Sequence, residues 1–243
     1  MFRAPGTCVN SRHCIACGCG VVWLLAGAPV HAHELHGYLT LVSDYVFRGA
    51  SQSTEDPTVQ AGVDYLHPSG VFAGIFTANT DFPESSFGSN PGPIELDAYL
   101  GYSRAAGRDW SWDVAALHYD FPDSHGFDYS YDELAANLHL RDVLRLGATV
   151  SDDAGAGGAS GWTAEFELRQ SLGDRFQLSG SLGHYEFQRS DWSDYFYWDF
   201  GVSATAGRLT FDVRYFDTNS ERAGFAGPRL TGSRLVGSVS VGF

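Results

Sequence analysis

The chain has 243 residues with 29 acids against 15 basic residues, every one an arginine, for a formal charge of −14. That balance argues against a nucleic-acid partner, because phosphate binding needs a basic face. The length suits a single all-β domain. Past the first thirty residues no apolar run approaches the ~20 a membrane helix needs, which excludes a helical membrane protein but not a barrel, whose strands bury alternate residues.

Arg3, Arg12 and His13 precede an apolar run from Cys14 to Ala28, followed by small residues near Val30 and Ala32. This is the pattern of a secretory signal peptide. Cleavage is expected after Ala32, with Val30 at the third position back; a cut after Ala28 would place Pro29 beside the scissile bond. Cys8, Cys14, Cys17 and Cys19 all lie in this leader. A Cys14/Cys17 metal or redox pair would be lost with it, so no disulfide, metal or cofactor is expected in the mature chain, residues 33–243. Losing the leader removes two arginines and no acids, leaving 13 arginines against 29 acids and a charge of −16.

The mature chain reads as a succession of two-faced strands. The first is expected over Gly37 to Arg48, with Leu39, Leu41, Tyr45 and Phe47 on one side and Thr40, Asp44 and Arg48 on the other. In the second, Val59, Ala61, Val63 and Tyr65 alternate with Gln60, Gly62 and Asp64. His67-Pro68-Ser69-Gly70 makes a tight turn to the third, Val71 to Asn79, which is apolar on both faces and leaves its register open. After a long loop from Asp81 to Pro93, Ile94, Leu96, Ala98, Leu100 and Tyr102 alternate with Glu95, Asp97, Tyr99 and Gly101. Arg104 to Asp109 turns into a fifth strand, Trp110 to Phe121, and an acidic loop leads to a sixth, Tyr129 to Leu140.

Arg141-Asp142 turns into the seventh strand, Val143 to Ser151. A glycine-rich loop joins it to the eighth, where Trp162, Ala164, Phe166 and Leu168 oppose Thr163, Glu165, Glu167 and Arg169. That loop, Gly155 to Gly161, joins two strands rather than a strand and a helix, so it is not a nucleotide-binding fingerprint. Leu172-Gly173-Asp174 leads into the ninth strand, Arg175 to Phe187. In the tenth, Phe196, Trp198, Phe200, Val202 and Ala204 oppose Tyr195, Tyr197, Asp199 and Ser203. Ala206-Gly207-Arg208 turns to the eleventh, with Leu209, Phe211, Val213 and Tyr215 against Thr210, Asp212 and Arg214. The last strand, Ser233 to Phe243, sets Leu235, Val239, Val241 and Phe243 against Arg234, Ser238, Ser240 and Gly242.

The fold expected is therefore an all-β, transmembrane, antiparallel up-and-down β-barrel of about twelve strands. Connections alternate long and short, as in bacterial barrels with short periplasmic turns and long extracellular loops. The aromatic end of the last strand, with Val239, Val241 and Phe243 on one face, is the expected C-terminal assembly signal read by the barrel-assembly machinery. That strand would close the sheet on the first. Outer-membrane lipid and lipopolysaccharide are the expected surroundings.

The run SDYVFRG from Ser43 to Gly49, continued by Ala50-Ser51-Gln52-Ser53, resembles the opening motif of the TorF-type family of proteobacterial outer-membrane proteins, catalogued as of unknown function and regarded as porins. AGVDYLHPSGVFAGIF from Ala61 to Phe76 and ELDAYLGY from Glu95 to Tyr102 continue the resemblance. It implies an outer-membrane barrel with porin activity and offers no catalytic or ligand residues to carry over. Tyr45 and Phe47 are then expected in an aromatic girdle at the outer rim, with Asp44 and Arg48 facing the lumen.

The charges on the inward faces are Asp44, Asp64, Glu95, Asp97, Glu165, Glu167, Asp199 and Asp212 against Arg48, Arg145, Arg169, Arg214 and Arg234. Such an acidic surplus predicts a cation-preferring channel for a small solute, unless the charges pair across a filled lumen. Two other classes remain, a non-conducting structural or adhesive barrel and an outer-membrane hydrolase. The hydrolase would use a rim pair: His118 with Asp120, Asp123 with His125, or His184 with Glu186. No GxSxG or HExxH pattern supports it.

Overall fold

Period-two alternation leaves each strand with one apolar and one polar face, and the fold satisfies both by wrapping the sheet into a cylinder. The structure, a computed structural model, describes residues 33–82, 92–122, 124, 128–189, 191–220 and 230–243. The leader with its four cysteines, and Asp123 and His125 of one rim pair, lie outside the described residues.

The wall is a closed antiparallel barrel of twelve strands. In chain order these are β1 (Glu34–Val42), β4 (Thr58–Leu66), β5 (Val71–Asn79), β6 (Ile94–Ala105), β7 (Trp110–Asp120), β8 (Tyr131–Leu140), β9 (Leu144–Ser151), β10 (Gly161–Leu172), β11 (Phe176–Phe187), β12 (Tyr195–Ala206), β13 (Leu209–Thr218) and β14 (Arg234–Gly242). Two further short strands, β2 (Val46–Phe47) and β3 (Ala50–Ser51), form a separate hairpin. The glycine-rich loop after β9 holds a single 3₁₀ turn, Ala154–Ala156.

Each strand pairs with its neighbour in sequence, and β1 pairs with β14 to close the cylinder, with Leu39 opposite Val241. Phe243 extends the seam by exchanging two backbone hydrogen bonds of 2.9 Å with Gly37. Closure leaves no open sheet edge.

Large apolar side chains such as Leu35, Ile75, Leu100, Leu134, Phe200 and Leu235 stand exposed on the outer face. The opposite positions are buried inside and largely polar. The register left open by sequence resolves on β5, where Phe72 and Ala78 point inward while Val71 and Ile75 point out. Glycines make room for inward rings: a Cβ on Gly183 would collide with the ring of Tyr197 from the facing strand.

The first strand departs from expectation. It ends at Val42 rather than running to Arg48, and Tyr45 and Phe47 do not join an outward girdle. Instead residues 43–57 leave the wall and fold into the barrel, so that Tyr45 is only 2% exposed and Val46 only 1%. The reason lies in the composition of the stretch. Tyr45, Val46 and Phe47 are apolar in succession, which suits a segment enclosed on all sides better than a wall with one wet face.

Candidate functional site: the barrel lumen

The in-folded segment is pinned from several sides. Asp44 accepts hydrogen bonds from Ser51 (2.6 Å) and Ser53 (3.1 Å) and an ion pair from Arg234 on β14 (2.8 Å). Arg48 and Gly49 adopt left-handed backbone with φ of 47° and 80°, which reverses the chain at the tip of the β2–β3 hairpin. A side chain on Gly49 would run into Thr218 and Tyr197 on the wall. From that tip Arg48 reaches across the barrel. Its Nη1 and Nη2 donate to both carboxylate oxygens of Glu133 on β8, at 2.6 and 2.8 Å, and Nη2 also donates to Thr149 on β9 at 3.2 Å. The Arg48 carbonyl accepts the hydroxyl of Tyr195 on β12 at 3.0 Å. Contacts with β8, β9, β12 and β14 from one short segment require it to lie inside the cylinder.

All thirteen charged residues assigned inward from the alternation lie on the lumen side. Asp44 and Arg48 belong to the in-folded segment, Asp64 to β4, Glu95 and Asp97 to β6, Arg145 to β9, Glu165, Glu167 and Arg169 to β10, Asp199 to β12, Asp212 and Arg214 to β13, and Arg234 to β14. Val239, Val241 and Phe243 face outward on the closing strand, where Phe243 is 70% exposed.

The arginines are engaged one after another. Arg145 donates to Glu165 (2.9 Å) and Glu167 (3.5 Å), and Arg169 to Glu167 (2.8 Å). Arg214 bridges Asp199 and Asp212. Glu165 also accepts the Tyr197 hydroxyl at 2.7 Å. The lumen groups that escaped the sequence reading include Glu133, the partner of Arg48, the pair Asp113 and His139, whose Oδ1 and Nε2 are 2.6 Å apart, and His36 with Glu34 on β1 at 3.1 Å. The signal for Glu133 and His139 was the alternation of Tyr131, Glu133, Ala135, Asn137 and His139 against Leu134 and Leu138 on β8.

Asp64, Glu95 and Asp97 meet no arginine among the described residues, and Asp64 faces His36 on β1. Asp64 accepts the hydroxyl of Tyr99, and Glu95 that of Tyr45. One oxygen each of Glu95 and Asp97, Oε2 and Oδ1, is buried with no hydrogen-bond partner among the described residues. No group of three or more His, Cys, Asp or Glu among the described residues is arranged to hold a metal ion.

Arg48 lines two cavities. One lies toward the long loops and is walled by aromatic rings, including Phe47, Tyr131, Tyr185, Phe187 and Tyr195, with Glu95 at its side. The other lies toward the short turns and has more charged side chains in its lining, with Asp113, Glu133, Arg145 and Glu165 beside Asn137. Arg48 stands between them, and its partner Glu133 lines the cavity on the side of the short turns.

The rim histidines stand elsewhere. His118 is on the outer face of β7 and pairs at 2.7 Å with Asp132 on β8, not with Asp120, and both partners are exposed. Nearby Asp128 is held below the usual carboxylate range by the hydroxyl and backbone N–H of Ser130. His184 points out of the barrel between Trp162 and Phe196, 3.9 Å from Glu186. Neither ring bonds a serine among the described residues, so no nucleophile–base pair forms there.

A family profile described as "bacterial protein of unknown function (Gcw_chp)" matches residues 26–240. No functionally curated protein matches the chain. Among solved structures, the NanC porin superposes with a TM-score of 0.57 at 12% identity, over 86% of this chain and 99% of that one. The KdgM porin gives 0.52 at 8% identity over 87% and 99%, and the same porin in complex with disordered oligogalacturonate gives 0.53 at 8% over 87% and 99%. At such identities the likeness is one of fold.

Proposed function

The chain belongs to this family of bacterial proteins of unknown function, and we propose that it is a porin-like channel of the outer membrane that passes small solutes or ions with a preference for cations. The observation that carries this reading is a closed barrel with an apolar outside and a charged, cavity-bearing lumen narrowed at Arg48. The porin likeness and the resemblance of Ser43 to Gly49 to the TorF-type motif support the same assignment.

Residues 1–32 would be the leader removed on export, the short turns would face the periplasm, and the aromatic strand end would serve assembly. Cation preference follows from the acids that no arginine answers, because an uncompensated carboxylate favours cations in a confined, weakly screened space. The same field disfavours a polyanion such as the oligogalacturonate found with the KdgM porin.

One observation favours a second reading, a non-conducting barrel: the segment across the lumen is held by buried hydrogen bonds on several strands. Planar-bilayer recording of the refolded mature protein under a KCl gradient separates the two. Discrete conductance steps reversing on the cation side are expected. Anion-side reversal would overturn the selectivity, and a folded barrel without steps would favour the non-conducting reading.

A further inference from the structure

We infer that the aromatic cavity on the loop side of Arg48 is a binding site for a small organic cation carrying an alkylated ammonium group; this rests on the channel reading only for the route by which the solute arrives. The rings of Tyr185 and Phe187 stack with centroids 4.1 Å apart, and Tyr195 lies 6.0 Å from Tyr185. Faces of this kind attract cations through the ring quadrupole, most strongly where water is excluded. The site already does so for one cation: the Arg48 guanidinium carbon stands 4.6 Å from the Phe47 centroid and 5.1 Å from that of Tyr185. That charge is cancelled by the bidentate pair with Glu133.

The carboxyl in this cavity that no cation answers among the described residues is Glu95. It lines the cavity, is 4% exposed, and its Oε2 has no hydrogen-bond partner among the described residues. A buried acceptor without a donor calls for one. An inorganic ion is a poor candidate, since it needs several oxygen ligands and these walls are ring faces. A neutral sugar needs several free polar partners around its hydroxyls. Several polar groups of the lining are already engaged: Arg48 by Glu133, the Gln52 amide by the Ala50 carbonyl, the Tyr195 hydroxyl by the Arg48 carbonyl and the Tyr185 hydroxyl by Arg48. A choline-like alkylated ammonium matches both features, with its methyl groups on the rings, its charge beside Glu95 and its hydroxyl as the donor to Oε2.

The test is calorimetric titration of choline into the folded, detergent-solubilised barrel, with glucose as the neutral control and heat-modifiable gel migration to certify folding. Choline is expected to bind and glucose not. Glu95→Gln should weaken choline roughly tenfold through loss of the charge, and Phe187→Leu should weaken it severalfold through loss of the ring. Equal choline affinity in wild type and both folded variants, no choline binding to the wild type, or glucose binding as well as choline, would overturn the inference. The readout needs no current, so a barrel that binds choline but does not conduct would sink the channel reading and leave the site standing.

Discussion

The two halves of the lumen wall are built from the same residue types to different ends. Strands β9 to β14 contribute Glu165, Glu167, Asp199 and Asp212 together with Arg145, Arg169, Arg214 and Arg234, and each arginine bonds an acid. Strands β4 to β8 contribute Asp64, Glu95, Asp97, Asp113 and Glu133 and, among the described residues, no inward arginine. Glu133 is answered by Arg48, Asp113 hydrogen-bonds His139 and Asp64 faces His36 on β1, which leaves Glu95 and Asp97 without a cation partner among the described residues. The first half is a neutral network that stiffens the wall; the second carries the unbalanced field. Charge count alone does not distinguish them, and pairing does.

The paired wall is most sensitive at Arg214. Arg214→Ala strands two buried carboxylates, and the urea midpoint of the barrel should fall by the equivalent of about 3–5 kcal/mol, while cation preference does not decrease. On the opposite wall, Glu95→Gln with Asp97→Asn removes charge that nothing pairs. Here the K⁺/Cl⁻ permeability ratio should fall toward one with little or no loss of stability. A large loss of stability from that double variant would mean that both walls are structural networks. The smallest effect is expected on the outside: His118→Ala and His184→Ala remove exposed or half-buried outward rings, and neither conductance nor unfolding midpoint should move measurably.

Much of this was legible because a strand in a barrel wall has only two environments. Wherever one apolar face repeated, as in Val59 to Tyr65 or Phe196 to Ala204, the in-or-out placement of the opposite residues followed without further information. The same rule misled at Tyr45 and Phe47, where a segment that crosses the lumen also alternates with Asp44 and Arg48. Period two signals two faces; it does not say whether the outer face meets lipid or the inside of the same barrel. What betrays the crossing is local: Val46 interrupts the pattern, and the Arg48-Gly49 reversal is a turn rather than a strand.

Pairing was illegible for a different reason. Arg48 and Glu133 are 85 positions apart in sequence, and only barrel closure together with the infolding of residues 43–57 brings them to 2.6 Å. The aromatic cavity has the same origin, since Phe47 arrives on the in-folded segment while Tyr131, Tyr185 and Tyr195 come from three separate wall strands.

If the Arg48–Glu133 bridge narrows a single conducting lumen, removing it should widen the path. The most direct test is the unitary conductance of Arg48→Ala combined with Glu133→Ala, a double variant that removes the bridge without leaving either charge buried alone. In planar bilayers larger single-channel steps than the wild type are expected at the same salt. Steps of unchanged size, from a barrel shown to be folded, would contradict that narrowing.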